Sequence, residues 1–150
     1  MLTFEYTDTF DYSAADVFAL FTDLKARSSW VDGDISEQRV NPEGPAHLGT
    51  SYFESGKYSG YKNEKTMFVT EFEQDRLLTL ATTADAPQFF RESYSIDPLS
   101  ENTCRVQFTS EVGSVPKVAE FFMRQSMKKS LPQNVVRIKS ALSSREQQTR

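Results

Sequence analysis

Glu92 and Tyr94 stand two apart in the run Arg91-Glu92-Ser93-Tyr94-Ser95-Ile96. On a strand that spacing puts both on one face, together with Ile96. If Tyr94 and Ile96 turn inward, Glu92 goes with them. A carboxyl held in an apolar cavity has a raised pKa and is suited to act as an acid or to anchor a ligand. Against this stands a plainer alternative, favoured because strand ends commonly emerge into solvent: Glu92 is wet, or pairs with a nearby arginine. Tyr52 and Glu54 share a face by the same parity, but Glu54 lies near a turn and is expected to be solvated. Tyr52, Tyr58 and Tyr61 are candidates to offer hydroxyls to a ligand, or else ordinary half-buried packing.

Other chemistries are thinly represented. The sequence has no Gly-rich phosphate loop, no G-x-S-x-G elbow and no H-E-x-x-H. Its single histidine, His47, sits in a Pro/Gly loop without an evident orienting partner and is expected at the surface. The single cysteine, Cys104, excludes an internal disulfide and cannot build a thiolate zinc site; it is expected as a small core or edge residue. No metal and no cofactor are expected.

The elements that must position these residues read as follows. Residues 2–10 alternate as a first strand with Phe4, Tyr6 and Phe10 on one side. Ser13 is an N-cap for a short helix whose Val17, Phe18, Leu20 and Phe21 turn inward. Asp23 is expected to cap a second short helix ending near Trp30. From Ile35 the period switches to two, and strands follow at about 35–41, 50–55, 62–72, 77–83, 89–97 and 103–112. Phe68 and Phe72 fall on one face of the long strand, Met67 and Val69 on the other. Gly49, Gly56 and Gly60 fall where sharp bends are needed.

The last run, Val115–Leu142, is the one segment long enough to cross a domain as a helix. Val118, Phe121, Phe122 and Gln125 share one side; Leu131, Val135, Ile138 and Leu142 share another, with Pro132 at the changeover. A proline there predicts a kink. Ser143–Arg150 is expected to fray, giving one domain over 1–143 and a polar tail over 144–150. Strands joined by short turns and closed by a helix make an α+β domain, in which a curved antiparallel sheet of about seven strands wraps the C-terminal helix.

Composition bounds the function. At 150 residues, 38% hydrophobic and 25% charged, the chain fits one globular core. No apolar run reaches the roughly 18–20 residues needed to span a bilayer, so stable membrane insertion is not expected. Met1-Leu2-Thr3-Phe4-Glu5 lacks the basic and apolar regions of a signal peptide, which predicts a cytoplasmic protein. From Lys117 onward there are eight basic residues against two acidic; the preceding 116 carry nine against 19. A basic helix on an acidic body reads as intramolecular complementarity, not as a nucleic-acid surface. Twelve phenylalanines against one tryptophan need either a dense core or the lining of an apolar cavity.

Four patterns in order carry a resemblance. The first is Ser13-Ala14-Ala15-Asp16-Val17-Phe18, then Asp23 and Trp30, after the first strand. The second is Leu48-Gly49-Thr50. The third is Val69-Thr70-Glu71-Phe72-Glu73 before Arg76-Leu77. The fourth is Glu92-Ser93-Tyr94-Ser95-Ile96, followed by Thr103-Cys104-Arg105-Val106. Over about residues 3–142 the chain resembles the START-like, or SRPBCC, superfamily, and within it the small bacterial proteins grouped with polyketide cyclases and dehydratases. The resemblance implies the helix-grip fold, with a cavity between sheet and helix that takes a small hydrophobic or aromatic molecule.

Trp30, Tyr52, Tyr61, Met67, Glu92, Tyr94, Phe108, Phe121 and Phe122 are the candidates to line that cavity. The Phe-rich front half of the helix is expected at its mouth and the rear half in the core. Two rival functions remain open. One is a cyclase or dehydratase using Glu92 and a tyrosine as acid–base groups. The other is a protein-interaction module using the basic face of Arg124, Lys128 and Lys129.

Overall fold

A computed structural model describes residues 1–31, 33–58, 61–113 and 115–148, with the side chains of Tyr58 and Tyr61 outside the description. The chain runs β1 (Leu2–Phe10), α1 (Ala14–Thr22), a single 3-10 turn (Leu24–Ala26) and α2 (Arg27–Trp30). Then come β2 (Asp34–Asn41), β3 (Ser51–Tyr58), β4 (Tyr61–Glu73), β5 (Leu77–Ala81), β6 (Phe90–Ser100), β7 (Thr103–Val112) and α3 (Lys117–Gln148). The seven strands form one antiparallel sheet in the order β1-β7-β6-β5-β4-β3-β2. Every neighbouring pair except β1–β7 is consecutive in sequence; the one crossover runs from β1 through α1 and α2 to β2 at the opposite edge. The inner face of the sheet, α1, α2 and the rear of α3 enclose the main core. This is the α+β arrangement that the element order implies, and the helix-grip fold that the resemblance implies.

Local chemistry explains the entry to α1. Ser13 has extended backbone and its Oγ accepts from the Asp16 N–H at 3.1 Å, while the Asp16 carboxylate sits in the first turn. Val17, Phe18, Leu20 and Phe21 are buried. Asp23 departs from expectation: its side chain caps nothing, and its carboxylate instead pairs with Arg145 near the end of α3.

Three register shifts interrupt the described ladders, one of them near the β6–β7 turn between Pro98 and Ser100; the other two shape the sheet. Between Val69 and Glu71 the β4–β5 register shifts. One extra residue reverses the parity beyond it. Phe72 therefore leaves the face of Phe68 and packs against the core, its ring 5.4 Å from Phe18. The second bulge lies between Ile35 and Glu37 on β2, near Gly56 on β3. A Cβ on Gly56 would stand 1.8 Å from the Asp34 carbonyl oxygen, so only glycine allows the two strands to approach this closely.

Helix α3 continues without interruption through Pro132 to Gln148. The expected frayed tail is thus helical up to that point, held by Arg145 on Asp23. Val135, Ile138 and Leu142 are buried, as their spacing predicts. Each such aliphatic side chain contributes roughly 1.5–3 kcal/mol of burial. No helix among the described residues is long and apolar enough to cross a membrane.

Candidate functional site

A cavity of about 330 Å³ opens between the sheet, α2 and the front half of α3. That volume is within the usual range for small-molecule sites. Strand parity builds its floor. On β6, Phe90, Glu92 and Tyr94 face it together; on β7, Phe108, Ser110 and Val112 do, each opposite a β6 partner in the register. Trp30 closes the α2 side, and Met123, Met127, Leu131 and Val135 cover it from α3. Tyr94, Phe108, Phe21 and Trp30 form a single aromatic cluster, with the Phe21 and Tyr94 rings stacked 4.9 Å apart and Phe21–Phe108, Trp30–Tyr94 and Tyr94–Phe108 edge to face. This cluster stiffens one wall.

An ionic cluster adjoins these rings, and its centre is a residue the sequence did not single out. Arg27 is 1% exposed. Its Nη1 donates to Glu92 Oε2 at 2.9 Å and to the Tyr94 hydroxyl at 3.0 Å, and its Nε lies 3.5 Å from Glu54 Oε2. Tyr94 in turn donates to Glu92 Oε2 at 2.7 Å. Glu54, 3% exposed, also pairs with Lys65 Nζ at 3.4 Å and accepts from the Tyr52 hydroxyl at 2.9 Å. Gln38 Nε2 donates to that same hydroxyl at 2.9 Å. The guanidinium carbon of Arg27 stands 5.5 Å from both the Trp30 and Tyr52 ring centroids. Lys65 lies over the Phe90 ring at 4.4 Å.

Two cations and two carboxylates thus neutralise one another beneath an apolar roof. Their protonation follows. Burial alone would raise the pKa of Glu92, but Arg27 and Lys65, with hydrogen bonds from Tyr94 and Arg27, bring it down to about 2. Burial would likewise raise Glu54, and the same two cations leave it lowered. Burial opposes the charge on Arg27, yet Glu92 and Glu54 more than offset it and its pKa is raised. Tyr52 and Tyr94 are pushed up, chiefly by burial, and stay protonated. Glu92 is therefore an anion, not the protonated acid that an apolar cavity alone would give. The plainer reading, an arginine pair, is the observed one.

The remaining candidates divide. Trp30, Glu92, Tyr94 and Phe108 come together in the cavity wall. Tyr52 is wholly buried beside it, its hydroxyl committed to Glu54 and Gln38. Met67 is core, paired in register with Tyr52 and away from the cavity. Glu54 is not solvated, because its inward parity puts it against Arg27 and Lys65. Tyr61 opens β4, but its side chain lies outside the described residues. Phe121 and Phe122 do not border the cavity: they are 61% and 66% exposed. The front of α3 instead turns Met123, Met127 and Leu131 toward the sheet, where they meet Leu2, Phe4, Val112 and Phe90.

His47 is exposed, and Cys104 is buried, its thiol pushed by burial up to about 11. Arg124 pairs with Glu120 at 3.1 Å, while Lys128 and Lys129 are exposed. Among the described residues no three His, Cys, Asp or Glu side chains converge as a metal site.

Arg27 was legible in one way. Two carboxylates at inward strand parity, Glu54 and Glu92, require a buried cation. Arg27 lies three residues before Trp30, which puts it on the same side of a short helix.

With this geometry in hand, comparisons give a consistent result. The family model for polyketide cyclase / dehydrase and lipid transport proteins matches residues 1–143. A protein from Nitrosomonas europaea has a similar structure, with a TM-score of 0.76 at 13% identity over 97% of this chain and 96% of that one. A START superfamily protein from Mycobacterium smegmatis gives 0.74 at 14% identity, covering 95% and 97%. Norcoclaurine synthase from Thalictrum flavum, in complex with dopamine and hydroxybenzaldehyde, gives 0.68 at 10% identity, covering 95% and 86%. At these identities the likeness is one of fold. A sequence comparison with curated proteins returned no match.

Proposed function

The chain belongs to the polyketide cyclase / dehydrase and lipid transport family, and from that premise we propose that it is a binding protein for a small, largely apolar molecule held between the sheet and the front of α3. The observation that carries this reading is the cavity itself, roofed by Met123, Met127 and Leu131 and walled by a rigid aromatic cluster. Affinity comes from burying apolar ligand surface, at roughly 25 cal/mol per Å² before the costs of ordering. Methionines in the roof adapt to ligands of different outline.

The ionic cluster favours binding over acid–base turnover. A cyclase or dehydratase needs a carboxyl or hydroxyl that exchanges a proton near neutral pH. Glu92, at about 2, and Glu54, also lowered, are poor bases and are not acids there, while the tyrosines hold their protons. The similar fold of the Thalictrum enzyme, whose structure holds two small aromatic molecules, supports the size class and not the reaction.

The test is a titration with the uncharged dye N-phenylnaphthylamine, paired with native mass spectrometry of protein from its own host. Saturable dye fluorescence and a displaceable co-purifying small molecule are expected. Absence of both would refute the proposal.

A further inference from the structure

Behind Pro132 the basic residues of α3 find acids on the body: Lys139 pairs with Asp8 and Arg145 with Asp23. Ahead of it that pattern stops. Arg124 pairs with Glu120, one turn earlier on its own helix, and lies over the Phe4 ring. Lys117, Lys128 and Lys129 are exposed and make no ion pair among the described residues. Between these lysines the same stretch presents apolar side chains to water. Val118, Phe121 and Phe122 are each more than half exposed, and the two rings rest on one another at 5.7 Å. Phe121, Phe122, Gln125 and Lys129 follow Val118 at helical spacing, so all five share one face. Met123, Met127 and Leu131 turn the other way, toward the sheet.

Single exposed apolar residues need no account, but a cluster of them ringed by cations marks a contact surface. Charge selects what it contacts. Only two acids lie from Lys117 onward: Glu120 is tied to Arg124, and Glu146 is near the far end of the helix. The occupant must therefore offer negative charge beside apolar surface. A second copy seated by two-fold symmetry would set these lysines against the same lysines. A protein groove also fits poorly, because lysine is depleted from the centres of protein interfaces. A bilayer with anionic headgroups meets both needs. Its acyl boundary takes the rings, and its headgroups take ammonium groups that reach them on long stems.

We propose that the front of α3 is a docking surface for an anionic lipid bilayer. Val118, Phe121 and Phe122 enter the interface, and Lys117, Lys128 and Lys129 sit among the headgroups. The helix lies along the surface and does not cross it; no helix among the described residues is long and apolar enough to do so. The chain carries a net charge of −4, so an anionic surface repels the rest of the body and fixes the orientation. Met123, Met127 and Leu131 border the cavity from the other side of the same turns, so a docked molecule holds that cavity beside the membrane. The docking surface stands without the cavity reading and goes beyond it.

Co-sedimentation of the full chain with vesicles of phosphatidylcholine, with or without phosphatidylglycerol as about a third of the lipid, tests the proposal. In low salt, partition onto the anionic vesicles is expected to be at least about tenfold stronger than onto the neutral ones, and to weaken markedly in about 0.5 M salt. Phe121→Ser with Phe122→Ser, and separately Lys128→Glu with Lys129→Glu, are each expected to lose at least about tenfold. Reversing two exposed charges away from this face, Lys25→Glu with Arg39→Glu, is expected to change partition by less than about twofold. All these side chains are exposed, so circular dichroism is expected to match the wild type in every variant. No partition onto the anionic vesicles, or equal partition onto both lipids, overturns the proposal. So does undiminished binding by either α3 variant, or an equal loss in the control pair. If the wild type runs as a dimer that Phe121→Ser with Phe122→Ser dissociates, the face belongs to a second copy and the proposal fails. None of these outcomes alters the dye test of the cavity.

Discussion

Behind Pro132, α3 buries Val135, Ile138 and Leu142 in the main core, and pins itself by Lys139 to Asp8 and Arg145 to Asp23. Ahead of Pro132 the same helix rests on the sheet through partly buried Met123, Met127 and Leu131 and through Arg124 over the Phe4 ring, and exposes Val118, Phe121 and Phe122. The rear half is a beam and the front half a lid resting on a smaller apolar cluster. An aromatic pair in the sequence was expected to mark the cavity mouth, yet the cavity is lined by flexible thioethers and the phenylalanines face water. Helical phase, not residue type, decides which side chains meet the sheet. Burial is therefore concentrated in the rear half of the helix, and the cavity lies under the front half.

Substitutions in the two halves should differ sharply. The largest effect is expected from Ile138→Ala, which opens a cavity in the core and should cost about 2–5 kcal/mol in urea unfolding. If it cost no more than a surface change, the rear half would not be the anchor. Next comes acid, which acts on the wall beneath the helix. The folded pKa of Glu92, about 2, lies below its ordinary 4.5. Its stabilising contribution is therefore complete above the ordinary value and is lost as pH falls from about 4.5 through about 2. Glu92→Gln should lose roughly 3 kcal/mol at neutral pH by stripping Arg27 of a buried partner, and should flatten this acid slope. An unchanged slope would mean that other carboxylates carry it. The smallest effect is expected from Phe122→Ser, within about 0.5 kcal/mol of wild type, because the ring is largely in water.

The fold was legible because period-two and helical spacing are backbone properties: the Ser13 cap, the β1 alternation and the Val135–Ile138–Leu142 stripe all stand as read. What escaped was non-local. The bulge at Val69–Glu71 reverses the face of Phe72, and no composition signal marks it. The rear helix outlasts its apolar stripe because Arg145 finds Asp23 across 122 positions of sequence. At the site, Glu92 and Tyr94 were read from strand parity, and Trp30 from what the resemblance implies. Glu54 was misjudged from its nearness to a turn, and Arg27, in a polar stretch, carries no local signal of its own; its two carboxylates come from distant strands.

The central claim is that the space beneath the front half of α3 is the binding site, and Met127→Trp tests it most directly by filling that space from the lid. N-phenylnaphthylamine titrations of wild type and variant, with thermal unfolding of both, are the measurement. The expected result is dye affinity at least about tenfold weaker in the variant with an unchanged or higher melting temperature. Equal affinity in the two proteins, or no binding by the wild type, would contradict the account.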